Sequence, residues 1–145
     1  MSNVLIVYGS TTGNTADIAE YLGGRLRAAG HVADVRDAAD VSPDGLCEGR
    51  DVALFGCSAW GTDEVELQTD FEPLFEAFDR IGVKTACFAS GDSSFEHFCG
   101  AVDVIEARLN ELGGIQILEG LKLDGNLSSN GSDVEDWANR LLAAL

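Results

Sequence analysis

Few basic residues occur in this sequence. It has 9 Lys and Arg against 25 Asp and Glu, which gives a formal net charge of −16. Nucleic acids and anionic membrane surfaces attract proteins largely through Lys and Arg, so we expect neither as a partner. The acidic surface favours fast encounter with basic proteins, although a solvated acidic surface without a specific partner would have the same composition.

Segments for membrane insertion, export and metal binding are also lacking. No apolar run approaches the roughly 20 residues that span a bilayer. The opening MSNVLIVYGS has no basic segment and no cleavage site, so we expect no signal peptide and a cytoplasmic location. The four cysteines form no CxxC pair, and their spacing suits neither zinc nor an iron–sulfur cluster. Cys57 and Cys87 lie in apolar runs and are expected to be buried in a reducing compartment.

The 145 residues predict one domain, residues 1–145, with a single sizeable core. Short apolar runs alternate along the chain with amphipathic segments. The runs predict five strands. In chain order they are 4-VLIVY-8, 31-HVADV-35, 52-VALFGCS-58, 83-VKTACFAS-90 and 115-IQIL-118.

Four segments have apolar residues at helical spacing and predict helices. The first carries Ile18, Ala19, Leu22, Leu26 and Ala29 and is closed by Gly30; the second carries Leu67, Phe71, Leu74, Phe75 and Phe78; the third carries Phe98, Val102, Ile105, Leu109 and Leu112 and stops at Gly113 and Gly114; the fourth follows the capping box 132-SDVE-135 and carries Val134, Ala138, Leu141 and Leu145. Residues 37–50 have the polar composition of a loop.

This alternation of strands and helices implies a parallel sheet with helices on both faces and right-handed crossovers. In such sheets ligands bind beyond the carboxyl ends of the strands, where the strand order reverses. The loops that follow the first, third and fourth strands are therefore the candidate site: residues 9–15, 58–68 and 90–99.

The first of these loops, 9-GSTTGNT-15, precedes a helix. Unpaired N–H groups and the positive end of the helix point into such a loop and suit an anion. One hydroxyl would serve as a helix cap, whereas this loop has four, so we favour a phosphate site over a simple cap. No GK[ST] follows and GxGxxG is absent, which excludes the two common nucleotide motifs.

The other two loops each carry an aromatic residue. Trp60 lies just beyond a buried strand, where it provides a stacking surface for a planar ring unless it folds over the sheet edge. Phe95 follows Gly91 and Asp92 in the third loop, where Asp92 or Ser93 can also cap the next helix. An anion site and two aromatic side chains at one edge indicate a phosphorylated planar ligand, and flavin mononucleotide (FMN) fits.

The chain closely resembles the short-chain flavodoxins, especially those of sulfate-reducing bacteria (Desulfovibrio type). The resemblance covers essentially the whole length and rests on 10-STTGNT-15, 57-CSAWG-61, 65-VELQTDF-71 and 90-SGDSSFEHFCGAVDVIE-106. It implies an α/β flavodoxin-like three-layer sandwich with a five-stranded parallel sheet in the order 2-1-3-4-5. It also implies a low-potential one-electron carrier with non-covalently bound FMN, and no enzyme.

The resemblance further implies which residues contact FMN. The phosphate loop matches at Ser10, Thr11, Thr12, Gly13, Asn14 and Thr15; the second loop matches at Ser58, Ala59, Trp60, Gly61 and Thr62; the third matches at Ser90, Gly91, Asp92, Phe95, Phe98 and Cys99. Phe95 departs from the family, which usually has Tyr stacking on the outer flavin face. Phe keeps the stacking area and loses the hydroxyl. No catalytic residue and no metal ligand is expected.

Acidic residues crowd the expected site. They are Asp63, Glu64, Glu66, Asp70, Asp92 and Glu96. One uncompensated charge ~10 Å from a fully reduced, anionic flavin costs roughly 1–2 kcal/mol at an effective dielectric of ~20. That energy corresponds to tens of millivolts, so the last electron should be strongly reducing. The family implies basic redox proteins as partners, such as a multihaem cytochrome, a hydrogenase or an oxidoreductase system, and a monomeric carrier.

Three other functions make specific demands on the sequence. A response-regulator receiver needs acidic residues ending strand 1, a phosphorylatable Asp ending strand 3 and a Lys ending strand 5. Here these strands end in Tyr8-Gly9, Cys57-Ser58 and Leu118-Glu119. A small phosphatase needs Cys and Arg in the first loop, where both are absent. The alternative that stays open is an FMN-dependent reductase acting directly on a small substrate such as a quinone. It would need an open pocket over one flavin face, which two aromatic covers disfavour.

Overall fold

The computed structural model describes residues 2–9, 14–37, 49–57, 59–60, 66–67, 83–91, 100–124 and 131–144. Strands and helices alternate along most of these residues. In chain order the elements are β1 (Asn3–Gly9), α1 (Asn14–Ala28), β2 (Val32–Asp37), β3 (Val52–Cys57), β4 (Ala59–Trp60), β5 (Glu66–Leu67), β6 (Lys84–Gly91), α2 (Gly100–Glu111), β7 (Ile115–Gln116), β8 (Leu121–Asp124) and α3 (Gly131–Ala144).

The main sheet is parallel and has the order β2-β1-β3-β6, with β7 and β8 both paired to β6 on its far side. When β7 and β8 are taken as one interrupted fifth strand, the order is 2-1-3-4-5, as the sequence predicts. β4 and β5 form a separate antiparallel pair.

The two faces of the sheet are buried by different helices. Val4 and Ile6 of β1 belong to a core cluster that also contains residues of α1 and α3. The alternate residues Leu5 and Val7 are equally buried, and their side chains point to the opposite face. There α2 packs against β3 and β6. Burial on both faces explains why the β1 run is uninterrupted and apolar.

Two helices end at the glycines that the sequence predicts. Gly30 has φ +90°, and the N–H of His31 donates to the Leu26 carbonyl over 3.0 Å. Gly113 has φ +88°, and the N–H of Gly114 donates to the Leu109 carbonyl over 2.8 Å. Both are Schellman ends, which satisfy carbonyls that the helix leaves unpaired.

Some element boundaries differ from the prediction. Ala29 is exposed and follows the last residue of α1, so it does not belong to the buried face. Asp37 ends β2 rather than opening a loop, and Leu112 lies in the turn after α2. Leu67 lies in strand β5 and not in a helix, because residues 66–67 pair with 59–60. The remainder of that predicted helix, including Phe71, lies outside the described residues.

The prediction for the end of the chain is wrong in two respects. The fifth strand is interrupted after Gln116 and continues at β8, so it ends at Asp124 and not at Leu118-Glu119. The last helix begins at Gly131, which places Ser132 inside the first turn rather than at the cap. Its buried face also includes Trp137, which the predicted face lacks and which is 1% exposed.

Candidate functional site

The strand order reverses between β1 and β3. The chain leaves β1 to form β2 on one side and then returns to form β3 on the other. Gly9, the last residue of β1, lies opposite Cys57, the last residue of β3. The crevice that parallel sheets offer to ligands therefore opens beyond these two residues.

Helix α1 begins at Asn14, and four residues separate it from the end of β1 at Gly9. The first N–H groups of α1 have no intrahelical acceptor and carry the positive end of the helix dipole. No Lys or Arg occurs in residues 1–24. An anion at this position would be held by neutral donors and the helix. Of the predicted phosphate loop, the structure describes only the backbone of Asn14 and Thr15; Ser10, Thr11, Thr12 and Gly13 lie outside the described residues.

The second loop contains a short antiparallel pair that the sequence interpretation missed. Ala59 pairs with Leu67, and Trp60 pairs with Glu66. β4 also lies beside β6. The apolar and polar residues of 65-VEL-67 alternate, which is the signal that would have indicated a strand. Three residues predicted to contact FMN in this loop lie outside the described residues: Ser58, Gly61 and Thr62.

The third loop leaves the sheet from the end of β6. Ser90 and Gly91, predicted as part of this loop, are the last residues of the strand and pair with Leu123 and Asp124 of β8. Their backbone is therefore fixed by the sheet. Four other residues predicted to contact FMN in this loop lie outside the described residues: Asp92, Phe95, Phe98 and Cys99.

The described parts of the three loops meet at one edge of the molecule. The amino end of α1 follows β1, and the β4 strand with Trp60 follows β3. Ser90 and Gly91 form the carboxyl end of β6, and β1, β3 and β6 are neighbouring parallel strands. A helix N-terminus suits a phosphate, and an aromatic residue beside strand backbone suits a planar ring with polar edges. The donor chemistry of this edge therefore fits FMN.

The observed end of the fifth strand changes one of the three arguments against a response-regulator receiver. β8 contains Lys122, so the fifth strand does carry a Lys near its carboxyl end. The other two requirements still fail, because β1 ends in Tyr8-Gly9 and β3 ends in Gly56-Cys57 without an acid.

Two titratable groups with shifted pKa values, the Asp34 carboxyl and the Cys87 thiol, lie away from this edge. Partial burial raises the pKa of Asp34, but the hydrogen bonds and charges of Arg50 and Arg36 outweigh that effect and leave the pKa below its ordinary value. Burial, together with the charge of Glu106, raises the pKa of the Cys87 thiol well above its usual range. Cys87 is 1% exposed, which confirms the prediction for this cysteine, and it therefore stays a thiol.

None of the helices in the described ranges is long and apolar enough to cross a membrane. Within the same ranges, no group of three or more His, Cys, Asp and Glu side chains is placed to hold a metal ion.

Comparison with known sequences gives a consistent result. The family model described as Flavodoxin matches residues 6–137. A flavodoxin of Nitratidesulfovibrio vulgaris is 53% identical, and the alignment covers 100% of both chains. A flavodoxin of Maridesulfovibrio salexigens is 43% identical over 94% of this chain and 99% of its own.

Solved structures agree with the sequences. A flavodoxin from Streptococcus pneumoniae TIGR4 superimposes with a TM-score of 0.86 at 26% identity, covering 99% of this chain and 100% of the other. Oxidised flavodoxin 2 from Bacillus cereus gives a TM-score of 0.84 at 33% identity, covering 99% and 97%. The similarity extends over nearly the full length of each chain.

Proposed function

The chain belongs to the flavodoxin family, whose members are FMN-binding electron carriers rather than enzymes, and we propose that it holds its FMN at the carboxyl edge of β1, β3 and β6. The observation that carries the proposal is the amino end of α1, which follows the strand-order reversal beside Gly9 and Cys57. When bound, FMN supplies the one-electron chemistry.

Three sets of residues would divide the work of binding. Ser10, Thr11, Thr12, Gly13, Asn14 and Thr15 hold the phosphate with hydroxyl, amide and backbone donors. Trp60 and Phe95 cover the two faces of the ring and exclude water from it. The backbone of Ser90, Gly91 and Asp92 holds the polar edge of the ring, and Ser58, Ala59, Gly61, Thr62, Phe98 and Cys99 complete the pocket.

Acidic residues near the ring would lower the reduction potential of the bound flavin. Glu66 pairs with Trp60 in the β4–β5 ladder, beside the residue proposed to cover the ring. Negative charge near the ring disfavours the addition of further negative charge to it. We therefore propose a low potential for the last electron.

The carrier works with redox partner proteins, as flavodoxins do in general. We propose that these partners are basic, for example a multihaem cytochrome, a hydrogenase or an oxidoreductase, because the chain carries a formal net charge of −16. We also propose that the carrier acts as a monomer in the cytoplasm and that residues 1–145 form one domain. The reductase alternative is not favoured, since the relatives are named as flavodoxins.

A flavin titration tests the phosphate site. We expect Thr12→Ala to weaken FMN and to leave riboflavin nearly unchanged, because a lost hydrogen bond to a charged group is worth ~1.5–3 kcal/mol. Ser132→Ala is the matched control, since Ser132 is an exposed hydroxyl on α3. Flavin fluorescence measures both affinities. Equal affinity of the wild-type chain for FMN and riboflavin would refute the phosphate site.

A further inference from the structure

The end of β6 that faces the proposed flavin is held in place by β8, a strand near the end of the sequence. Within the described residues, the pairing of β3 with β6 ends at Gly56 and Phe88. Beyond that point, Ser90 and Gly91 are paired with Leu123 and Asp124 of β8. The position of β8 therefore sets the position of the Ser90–Gly91 backbone.

β8 is not a continuation of a regular strand. The fifth strand is interrupted between Gln116 and Leu121, and the backbone of residues 117–120 leaves the β6 ladder after the N–H of Ile117 donates to the Thr85 carbonyl. Strand pairing thus does not fix where β8 starts. Another contact must hold the interrupting segment, because slippage here would shift every residue of β8.

Ile117 and Leu118 of this segment pack partly buried against the core cluster, and Trp137 adds a hydrogen bond from that core to the backbone of the segment. The indole Nε1 of Trp137 donates a hydrogen bond of 2.7 Å to the Glu119 carbonyl, in the middle of the interruption. The rest of the side chain is buried in the core cluster formed with α1 and the sheet. The ring is therefore fixed by packing, and its single polar group ties the segment just before β8 to the core.

We propose that Trp137 is a positioning residue for the flavin ring: through Glu119 and β8 it fixes the Ser90–Gly91 end of β6. The inference rests on the proposed function, in which this end of β6 holds the polar edge of the ring. Trp137 does not touch the flavin in this account. Its effect reaches the ring through strand pairing and leaves the phosphate site at the amino end of α1 unchanged.

This separation gives the proposal a specific signature. Trp137→Phe keeps an aromatic ring in the core and removes the N–H donor. FMN and riboflavin should both bind more weakly, by up to about fivefold, the factor that corresponds to the roughly 1 kcal/mol of one neutral hydrogen bond. The ratio of the two affinities should stay at its wild-type value, whereas Thr12→Ala should change that ratio.

The matched control is Val134→Ala. Val134 lies on the same helix, is 0% exposed and belongs to the same core cluster, and its side chain has no hydrogen-bond donor. Val134→Ala should lower the stability of the chain and change neither flavin affinity. It separates loss of the indole hydrogen bond from general weakening of the core.

Amide hydrogen exchange of the FMN-loaded chains provides a second readout. In Trp137→Phe we expect the amides of β8, Ser90 and Gly91 to exchange faster than in Val134→Ala. The amides of β2 should exchange at the same rate in the two variants. These results, with parallel loss of both flavin affinities, would support the proposal. It is overturned if Trp137→Phe weakens FMN alone, if it binds both flavins as the control does, or if exchange rises uniformly.

The proposed function can fail separately. A wild-type chain that binds neither flavin overturns the FMN site and this inference with it. A wild-type chain that binds FMN tightly, combined with a Trp137→Phe variant that matches the Val134→Ala control, overturns the positioning role alone.

Discussion

The two edges of the sheet are held in different ways. β2 is an unbroken strand of six residues. The N–H of Val32 donates to the Ser2 carbonyl, so alternation along the strand turns the backbone groups of Ala33 and Val35 away from β1. The Arg27 guanidinium covers this outer side, since its Nε and Nη2 donate to the Ala33 carbonyl over 3.2 and 2.8 Å.

The opposite edge is short and interrupted. β7 has two residues and β8 has four. Gln116 donates from its side chain to the Glu106 carboxylate and to the Leu118 carbonyl, and Ile115 is 60% exposed. The buried indole of Trp137 ties this edge to the core by a hydrogen bond, and Ile117 and Leu118 pack against the same core. One edge is thus guarded by exposed charged groups and the other by a buried aromatic residue.

This difference predicts where stability resides. A contact made by an exposed charge contributes little, because water and salt compete with it. A buried aromatic side chain contributes both packing and its hydrogen bond. Substitution of the buried Trp137 should therefore have a much larger effect than substitution of the charged residues that guard the β2 edge.

The largest effect is expected at Trp137. Trp137→Ala removes a fully buried ring and should lower the free energy of unfolding by about 3–5 kcal/mol. Ile115→Ala, at the same edge, removes an exposed side chain and should change it by less than about 0.5 kcal/mol. Urea unfolding measures both. Similar losses in the two variants would show that burial does not decide which residues hold this edge.

A smaller effect is expected at Arg27. Arg27→Met keeps much of the apolar stem and removes both hydrogen bonds to the Ala33 carbonyl, so the free energy of unfolding should fall by about 0.5–1.5 kcal/mol. Arg140→Met is the control. Arg140 pairs with Asp136 across 3.8 Å on an exposed face of α3, and its loss should cost roughly 0.3–0.5 kcal/mol.

The Arg27 prediction also has a local readout. Amides of β2 should exchange faster in Arg27→Met than in Arg140→Met, because only the first substitution uncovers the strand edge. Equal exchange of β2 in the two variants would contradict a guarding role for Arg27.

The smallest effect concerns pH at the β2 edge. The pKa of Asp34 is lower in the folded chain than its ordinary value, through Arg50 and Arg36. Its stabilisation is therefore fully present above the unfolded pKa near ~3.9 and is lost as the pH falls through the folded pKa. Asp34→Asn should cost roughly 0.2–1 kcal/mol at pH 7, and the difference from wild type should shrink at acid pH. A difference that is constant between pH 7 and pH 2.5 in urea unfolding would contradict this coupling.

The central strands were predictable because their burial is simple. β1 and β3 are covered on both faces and therefore show unbroken apolar runs, which a single sequence reveals directly. The Schellman ends at Gly30 and Gly113 were equally legible, since few residues other than glycine adopt their positive φ.

The interrupted edge was less predictable because tertiary contacts decide it. The run 115-IQIL-118 has strand composition, yet only residues 115 and 116 pair with β6. The alternating 121-LKLD-124 carried a strand signal that was missed. Trp137 follows the helical spacing of Val134 and Leu141, but its bond to the Glu119 backbone joins residues 18 positions apart and leaves no local pattern.

The candidate site shows the same division. Its three loops could be named from the sequence because parallel sheets bind ligands at one edge. The pairing of Gly9 with Cys57, and of Ser90 and Gly91 with β8, comes only from the assembled sheet. The β4–β5 pair was missed because its strands have only two residues each, so the alternation of 65-VEL-67 is too short to separate a strand from the start of a helix.

Amide chemical shifts of the wild-type chain test the central claim most directly, since they report where each part of the flavin lies. Adding FMN should shift the amides at the amino end of α1, Asn14 to Ala16, and those of Ser90 and Gly91. Adding riboflavin, which lacks the phosphate, should shift Ser90 and Gly91 and leave Asn14 to Ala16 close to their positions in the flavin-free chain. If FMN leaves the amides at the start of α1 unshifted, or if riboflavin shifts them as much as FMN does, the phosphate does not lie at this helix and the account is contradicted.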